Sequence, residues 1–583
     1  MIPLTDEQQA AVDYQDNLCL TSCPGSGKTR TIIVKLHRCI EEVRGTPRRI
    51  ACITYTNAGV HEIEARLRLY GSSGDGDLCE VSTIHAFCLN YVLRPFAHLI
   101  PHLQGEWSVA TSDDPWFSSL VTRLSKKYQI KASLADMFDG LSRTFPNGKP
   151  SKSEIPLAAV LEFFQTADAD GKVTLGDIVY FASKLVQEHD FIASGLASRF
   201  AWFVVDEFQD TTLSQAIMLL RIQQQGRSKF FIVGDPNQSI LSFAGAKPKL
   251  MAQFADRVNA KVDCQLTGNF RSSKLILDIA ELLCPSNPRM VAMGENHAFH
   301  VAPRYQHCKT TIEGVFDHFL PAIDALKIEI GETAILAPWW MDLMKVGKLL
   351  RDRRIPIIGP GSRPYRRSHE FATLSEALAA YMANGDAENA AIVQKTLFVT
   401  LANIADIAPW MIFRYDGRRI VFRLIGEAHR VFKVHESAVE WLRETAAACE
   451  AILIEEELLT SKHAGIFTRS AAAMISEMTK NDPDVANMAA VDLGMVASPK
   501  NCMSLLTMHK AKGREFDAVA VINLHDDRVP NFNYKTKEDE DEYRRLLYVA
   551  VTRARKLLML FTDQGDHRNQ PSRFLRRPYL GMC

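Results

Sequence analysis

Four short apolar runs punctuate the chain, and each leads directly into polar residues: 50–54, 203–206, 230–234 and 518–522. Helical spacing of apolar positions separates them, as over residues 29–41 and 213–221. Short continuous apolar runs alternating with amphipathic helices predict an α/β fold, with parallel sheets whose faces are both covered. In such sheets ligands gather at the C-terminal ends of the strands. Residues 71–77 and 146–156 read as loops, 351–367 as a basic stretch rich in Pro and Gly, and 531–541 as polar and acidic. Residues 370–500 are Ala-rich and helix-prone, with little strand signal. No fixed-period repeat and no low-complexity tract interrupts the pattern.

The chemistry sits where these runs end. Val204-Val205-Asp206-Glu207-Phe208-Gln209-Asp210-Thr211 delivers adjacent carboxylates from a strand. Upstream stands Ser22-Cys23-Pro24-Gly25-Ser26-Gly27-Lys28-Thr29, and downstream Gly234-Asp235-Pro236-Asn237-Gln238. A buried strand with a solvated acidic turn would explain the first segment taken singly, and a Gly/Ser linker the second. Together they form a phosphate site. A glycine-rich turn before a helix points backbone N–H groups at phosphates, with Gly25 and Gly27 allowing close approach and Ser26 between them as a further nucleotide-binding residue. Lys28 neutralises terminal phosphates and Thr29 offers a hydroxyl to Mg²⁺. Asp206 holds Mg²⁺ through water, and Glu207 orients and deprotonates the attacking water. Gln238 is placed to sense a γ-phosphate.

Composition narrows the class. With 583 residues the chain is long enough for several domains, and 47% hydrophobic with 23% charged residues is ordinary for a globular protein. Lys+Arg and Asp+Glu both number 68, so any attraction for nucleic acid must come from a local positive groove. The 12 cysteines form no CxxC pair, which argues for reduced, buried thiols over a zinc or iron–sulfur centre. The start has no basic, apolar signal pattern, and no apolar run is long enough to span a bilayer. The expectation is a cytoplasmic protein without a membrane partner.

Further segments extend the nucleotide motifs into a family pattern. Leu4-Thr5-Asp6-Glu7-Gln8-Gln9 resembles an adenine-reading Q motif. Ile53-Thr54-Tyr55-Thr56-Asn57 and Ser82-Thr83-Ile84-His85-Ala86-Phe87 resemble motifs Ia and Ib, and residues 238–246 resemble motif III. Asn269-Phe270-Arg271-Ser272 is similar to motif IV, residues 507–516 to motif V and residues 544–554 to motif VI. In order and spacing the chain resembles superfamily 1A DNA helicases of the UvrD/Rep/PcrA type. The resemblance implies two RecA-like parallel-sheet lobes, 1A (1–90 and 196–275) and 2A (276–370 and 500–583). It also implies mainly helical insertions, 1B (91–195) and a reduced 2B (371–499). It implies ATP and Mg²⁺ as cofactors and movement 3′→5′ on single-stranded or partly duplex DNA. Carried over by position, Gln8 contacts the base, Arg30 and Phe270 sandwich adenine, and Glu515 contacts the ribose. Arg271 and Arg553 become arginine fingers on the second lobe. Tyr55, Thr56, Asn57, His85, Phe87, Phe243, Thr507 and His509 become DNA contacts.

The departures matter as much. Ser22-Cys23-Pro24 replaces the usual Ala-Gly-Ala/Pro, Ala58 stands where motif Ia has lysine, and Leu241 and Ala244 replace the aromatic and the arginine of motif III. That leaves Phe243 as the base-stacking candidate there. Arginines between 351 and 367 offer a second basic track, and Arg123, Lys126, Lys127, Lys131, Arg143 and Lys149 a weaker one. The segment Tyr91-Val92-Leu93-Arg94-Pro95-Phe96 is similar to the short UvrD-like subunit of Gabija-type antiphage systems. It implies a second reading, a helicase-like subunit that regulates a partner nuclease.

Overall fold

The computed structural model describes residues 3–70, 75–112, 114–151, 153–240, 245, 249–363, 365, 369–405, 415–481, 488–496, 501–565 and 570–583. They fall into two compact units. The first comprises Met1–Leu277, Cys284–Ala298 and Thr536–Tyr548, and the second Asp278–Leu283, Phe299–Lys535 and Val549–Cys583.

The first unit is built on a six-stranded parallel sheet. Its strands are β1 (Leu18–Ser22), β2 (Arg49–Thr54), β3 (Cys79–Thr83), β4 (Phe200–Val205), β5 (Lys229–Gly234) and β6 (Gln265–Leu266), in the spatial order β6-β1-β5-β4-β2-β3. The apolar runs read from the sequence are β2, β4 and β5. Their alternate side chains feed two separate cores. Ala51, Ile53, Phe203, Val205, Phe230 and Ile232 face one, while Ile50, Cys52, Trp202, Val204, Phe231 and Val233 face the other. A strand buried on both faces loses the polar alternation of an exposed sheet, which is why these segments read as unbroken apolar runs. The helices α1 (Asp6–Asp13), α2 (Lys28–Val43) and α3 (Leu213–Gln223) flank the site described below. Residues 91–195 add mainly helices and two small β pairs: Ser108–Ala110 with Lys172–Thr174, and an antiparallel hairpin of Arg143–Thr144 with Lys149–Pro150.

The second unit carries its own six-stranded parallel sheet. Its strands are β7 (Arg304–Cys308), β8 (Thr333–Ala337), β9 (Ile357–Ile358), β10 (Met503–Thr507), β11 (Phe516–Val521) and β12 (Ala554–Asp563), ordered β7-β12-β11-β8-β10-β9. The helix α4 (Trp340–Asp352) follows β8. Within residues 372–496 the described elements are helices packed around Trp441, Phe371 and Phe467, as the Ala-rich composition predicted.

Two loop expectations need correction. Helix Asp75–Leu78 occupies the described end of 71–77. The stretch 146–156 contains the returning strand of the hairpin, turned at Gly148 with φ +64°. The acidic stretch 531–541 runs into helix Lys537–Val551, where Glu538, Asp539 and Glu540 lie in the first turn and complement the positive helix end. Among the described residues no helix is long and apolar enough to cross a membrane.

Candidate active site

In the order β6-β1-β5-β4, neighbouring strands of the first unit lie about 4.8 Å apart. Past their C-terminal ends come Asn269, the phosphate loop, Asp235 and Asp206 respectively, so residues distant in sequence share one sheet edge.

The loop explains its own unusual residues. Ser22 Oγ donates to the Gly234 carbonyl at 3.1 Å, joining the ends of β1 and β5. The Cys23 thiol packs against the Thr267 and Gly268 carbonyls, and burial pushes it up to about 12, so it stays neutral. Gly25 and Gly27 have φ of +66° and +77°; a Cβ at Gly25 would lie 2.6 Å from Arg271 Cβ, and one at Gly27 2.7 Å from Gln8 Nε2. Only glycine fits either place. Helix α2 starts at Lys28, so its N-terminus opens onto this loop. Ser26 Oγ is buried with no hydrogen-bond partner among the described residues.

The acids are held by a chain of amides. Asp206 N–H continues the sheet by donating to Ile53 O at 2.8 Å. Glu207 then takes φ +52°, a left-handed conformation costly for a residue with a Cβ and characteristic of functional turns. That turn splays the two carboxylates apart, and Glu207 N–H bonds Asp206 Oδ1 at 2.9 Å. Glu207 faces Lys28 Nζ at 3.8 Å and accepts from Gln209 Nε2. Gln209 Oε1 in turn accepts from Asp235 N–H at 3.0 Å. Gln238 Nε2 donates to Asp235 Oδ2 at 2.6 Å. Lys28, Glu207, Gln209, Asp235 and Gln238 thus form one connected network.

Electrostatics fit a site awaiting cations and phosphates. Burial, reinforced by Glu207, raises Asp206 to about 7, with Lys28 opposing. Burial also raises Asp235, again against Lys28. For Lys28 burial works downward, but Glu207, Asp235 and Asp206 together outweigh it and hold the ammonium above its ordinary value. The Thr29 hydroxyl and the Asp206 carboxylate are hard oxygen donors. No group of three or more His, Cys, Asp or Glu forms a metal cage among the described residues. Such oxygen donors fit Mg²⁺, which keeps several waters and binds substrate phosphates.

A second layer braces the loop. Asn269, fully buried, donates to Pro24 O and accepts from Arg271 N at 2.9 Å and Ser272 N at 2.8 Å. Phe270 N–H donates to Gly25 O at 2.8 Å. Glu7 on α1 accepts from Thr267 N and Oγ1 at 2.8 and 2.6 Å. Arg545 Nε donates to Ser239 O at 2.8 Å, just beyond Gln238. Arg271, expected on the second lobe, belongs to the first unit because Asn269 ties it to the phosphate loop. Gln8 also turns inward: Oε1 accepts from Thr5 N at 3.1 Å and Nε2 donates to Ser26 O at 2.9 Å. Arg30 donates to Pro3 O at 2.6 Å, and Phe270 stays 38% exposed. In the second unit Glu515 pairs with Arg555 at 2.8 Å. Arg553 is buried, donating to Val549 O, Arg514 O and Thr552 Oγ1.

The nucleic-acid candidates separate. Tyr55 follows β2 and lines a shallow cleft with Thr54, Asp206, Glu207, Thr211 and Gln215, which links the acids to motif Ia. Thr56 and Asn57 are exposed beside it. His85 is half-buried, and burial lowers its pKa. Phe87 is fully buried against Tyr91, Phe200 and Phe203. It is a core residue and not a base platform. Phe243, with Leu241 and Ala244, lies outside the described residues. Thr507 ends β10, and His509 follows on a short 3₁₀ turn. Both basic tracks are partly internal. Arg363 and Tyr365 close on Glu376, Arg353 stacks on Phe316, and Arg366 and Arg367 are outside the described residues. Arg143 is enclosed by Asp168, Asp177 and Phe164, and Lys127 pairs with Glu162. Within the Tyr91–Phe96 segment, Val92 and Leu93 are core positions.

Sequence reasoning assigned no role to Gln209, Asp235, Asn269 or Glu7. Their signal was present: each is an amide or acid just past an apolar run or at a helix start, where buried polar groups must be satisfied.

The family model for the UvrD/REP helicase N-terminal domain matches residues 4–259, and that for the UvrD-like helicase C-terminal domain matches residues 483–565. The chain is 24% identical to ATP-dependent DNA helicase Rep of Escherichia coli, covering 98% of this chain and 93% of that protein. It is 25% identical to ATP-dependent DNA helicase UvrD2 of Mycobacterium tuberculosis, over 98% and 81%. It is 22% identical to ATP-dependent DNA helicase PcrA of Staphylococcus aureus, over 98% and 85%.

Proposed function

Because the chain belongs to the UvrD/Rep family of ATP-hydrolysing DNA helicases, we propose that it couples ATP hydrolysis to 3′→5′ movement along single-stranded DNA. The network from Lys28 through Glu207, Gln209 and Asp235 to Gln238 carries this reading. It links the residue that neutralises the phosphates, the base that activates water and the residue that senses the γ-phosphate. Phosphoryl transfer needs little beyond such positioning and charge stabilisation.

Backbone N–H groups of residues 25–28 and the α2 N-terminus cradle the β- and γ-phosphates, with Lys28 as the fixed positive charge. Thr29 and Asp206 would hold Mg²⁺, which when bound supplies charge neutralisation at the β- and γ-oxygens. Glu207 takes the proton of the attacking water, and Gln209 fixes its orientation. Arg271 supplies positive charge to the departing phosphate from the phosphate-loop side. Arg553 and Glu515 belong to the second unit, which supports a cycle in which hydrolysis waits on closure of two lobes. Opening duplex costs about 1.4 kcal/mol per base-pair step in lost stacking, well within what one ATP supplies.

Strand displacement by the purified chain tests this. With ATP and Mg²⁺ it should release a strand from a partial duplex carrying a 3′ single-stranded tail and leave a 5′-tailed duplex intact. Release from the 5′-tailed substrate alone would reverse the direction. Release of neither without an added nuclease subunit would favour the regulatory reading.

A further inference from the structure

Two of the chain's 7 tryptophans are adjacent and exposed. Trp339 and Trp340 leave the C-terminal end of β8 with 38% and 49% of their surface accessible, followed by Met341 at 69%. Aromatic side chains of this size normally bury most of their area, so a contiguous Trp-Trp-Met surface at the ligand end of a parallel sheet calls for an occupant.

Its position is set by the sheet. β8 pairs with β10 in the register Ala337↔Thr507, and Met508 N–H donates to Ala337 O at 2.9 Å. The segments leaving these strands therefore emerge side by side, one carrying Trp339 and Trp340, the other His509 and Lys510. Arg528 stiffens the patch: its guanidinium lies 4.9 Å from the Trp339 ring centroid and pairs with Asp342. Trp339 is thus held in place by the fold.

Charge identifies the occupant. On α4, Met341, Lys345 and Lys348 fall at i, i+4 and i+7, a single stripe, and all three are exposed. Lys510 is exposed on the neighbouring segment. Indole faces flanked by lysines at the positive end of a helix form the combination that grips a single strand, bases on the rings and phosphates on the cations. A basic stripe is poorly matched to an apolar protein partner.

We infer that Trp339 and Trp340 form a base-stacking platform for single-stranded DNA on the second unit, with Lys345 and Lys348 receiving its phosphates. The inference rests on the DNA-translocating reading and adds a contact that motif resemblance did not assign.

The test compares binding of labelled oligo-dT and of an abasic strand of equal length by fluorescence anisotropy. It uses the full chain and its Trp340→Ala, Trp340→Phe and Lys345→Ala/Lys348→Ala variants. Stacking predicts that the wild type prefers oligo-dT. Trp340→Ala should weaken oligo-dT binding about 5- to 150-fold and leave the abasic strand within twofold. Trp340→Phe should restore most of the loss. The double lysine variant should weaken both strands alike and reduce the salt dependence. Trp340→Ala binding both strands as the wild type does, or losing both equally, would overturn the platform while leaving the motor reading intact. A wild-type chain that binds neither strand would overturn both.

Discussion

Asn269→Ala probes the brace between the phosphate loop and Arg271. The amide is fully buried and makes three hydrogen bonds, to Pro24 O and from Arg271 N and Ser272 N. Alanine removes all three. At about 1 kcal/mol net each, the loss is about 3 kcal/mol. At about 2–4 °C per kcal/mol for a unit of this size, the melting temperature should fall by roughly 6–12 °C. The catalytic effect should be larger than stability implies. Phe270 N–H still holds Gly25 O, so the loop stays in place, but the Arg271 backbone loses its anchor. A displacement near 1 Å of a charge-stabilising group costs about 10²-fold in rate. Steady-state ATP hydrolysis, measured well below the lowered melting temperature, should therefore show kcat reduced about 100-fold with a smaller change in KM. A variant that melts early yet keeps kcat within about threefold of wild type would refute the argument and reduce Asn269 to a purely structural residue.

Gly25→Ala would set a Cβ 2.6 Å from Arg271 Cβ at φ +66°, and should weaken binding of a fluorescent ATP analogue by about 10-fold or more. Burial raises Asp206 to about 7, so Mg²⁺ must displace a proton there. Apparent Mg²⁺ affinity should rise about tenfold per pH unit below about pH 7 and level off above it, and Asp206→Asn should flatten the slope. The same raised pKa means that the folded, metal-free protein binds the proton more tightly than the unfolded chain. Asp206 should therefore withdraw stability as pH rises from about 4 to about 7, visible in urea melts without Mg²⁺. In the second unit the His525 hydrogen bond, helped by Thr311, lowers Asp563 to about 2. Its stabilisation should persist above about pH 4 and vanish as pH falls towards about 2, and Asp563→Asn should remove that part of the acid-unfolding slope.

Much of the nucleotide site was legible because its chemistry follows strands buried on both faces. The runs that became β2, β4 and β5 could be read without knowing their neighbours, and so could the acids and glycines that follow them. What could not be read was the work of residues whose role depends on partners far away in sequence. Gln8 looks like a base-reading residue in its motif, and its amide also caps α1 and holds Ser26 O. Phe87 sits beside candidate DNA contacts, but half a helical turn places it among Phe200 and Phe203. The two-residue strand β6 carries no periodicity of its own and exists only because β1 offers it an edge. Trp339 and Trp340 belong to none of the motifs read from the sequence, and only their exposure at a sheet edge distinguishes them.

The central claim is that this site hydrolyses ATP in step with DNA. The direct measurement is the ATPase rate of the purified chain with and without single-stranded DNA, beside Glu207→Gln. The account predicts strong stimulation by DNA, and in the variant a loss of about 10²–10⁴-fold with nucleotide binding kept. A rate indifferent to DNA, or one that survives Glu207→Gln, would contradict it.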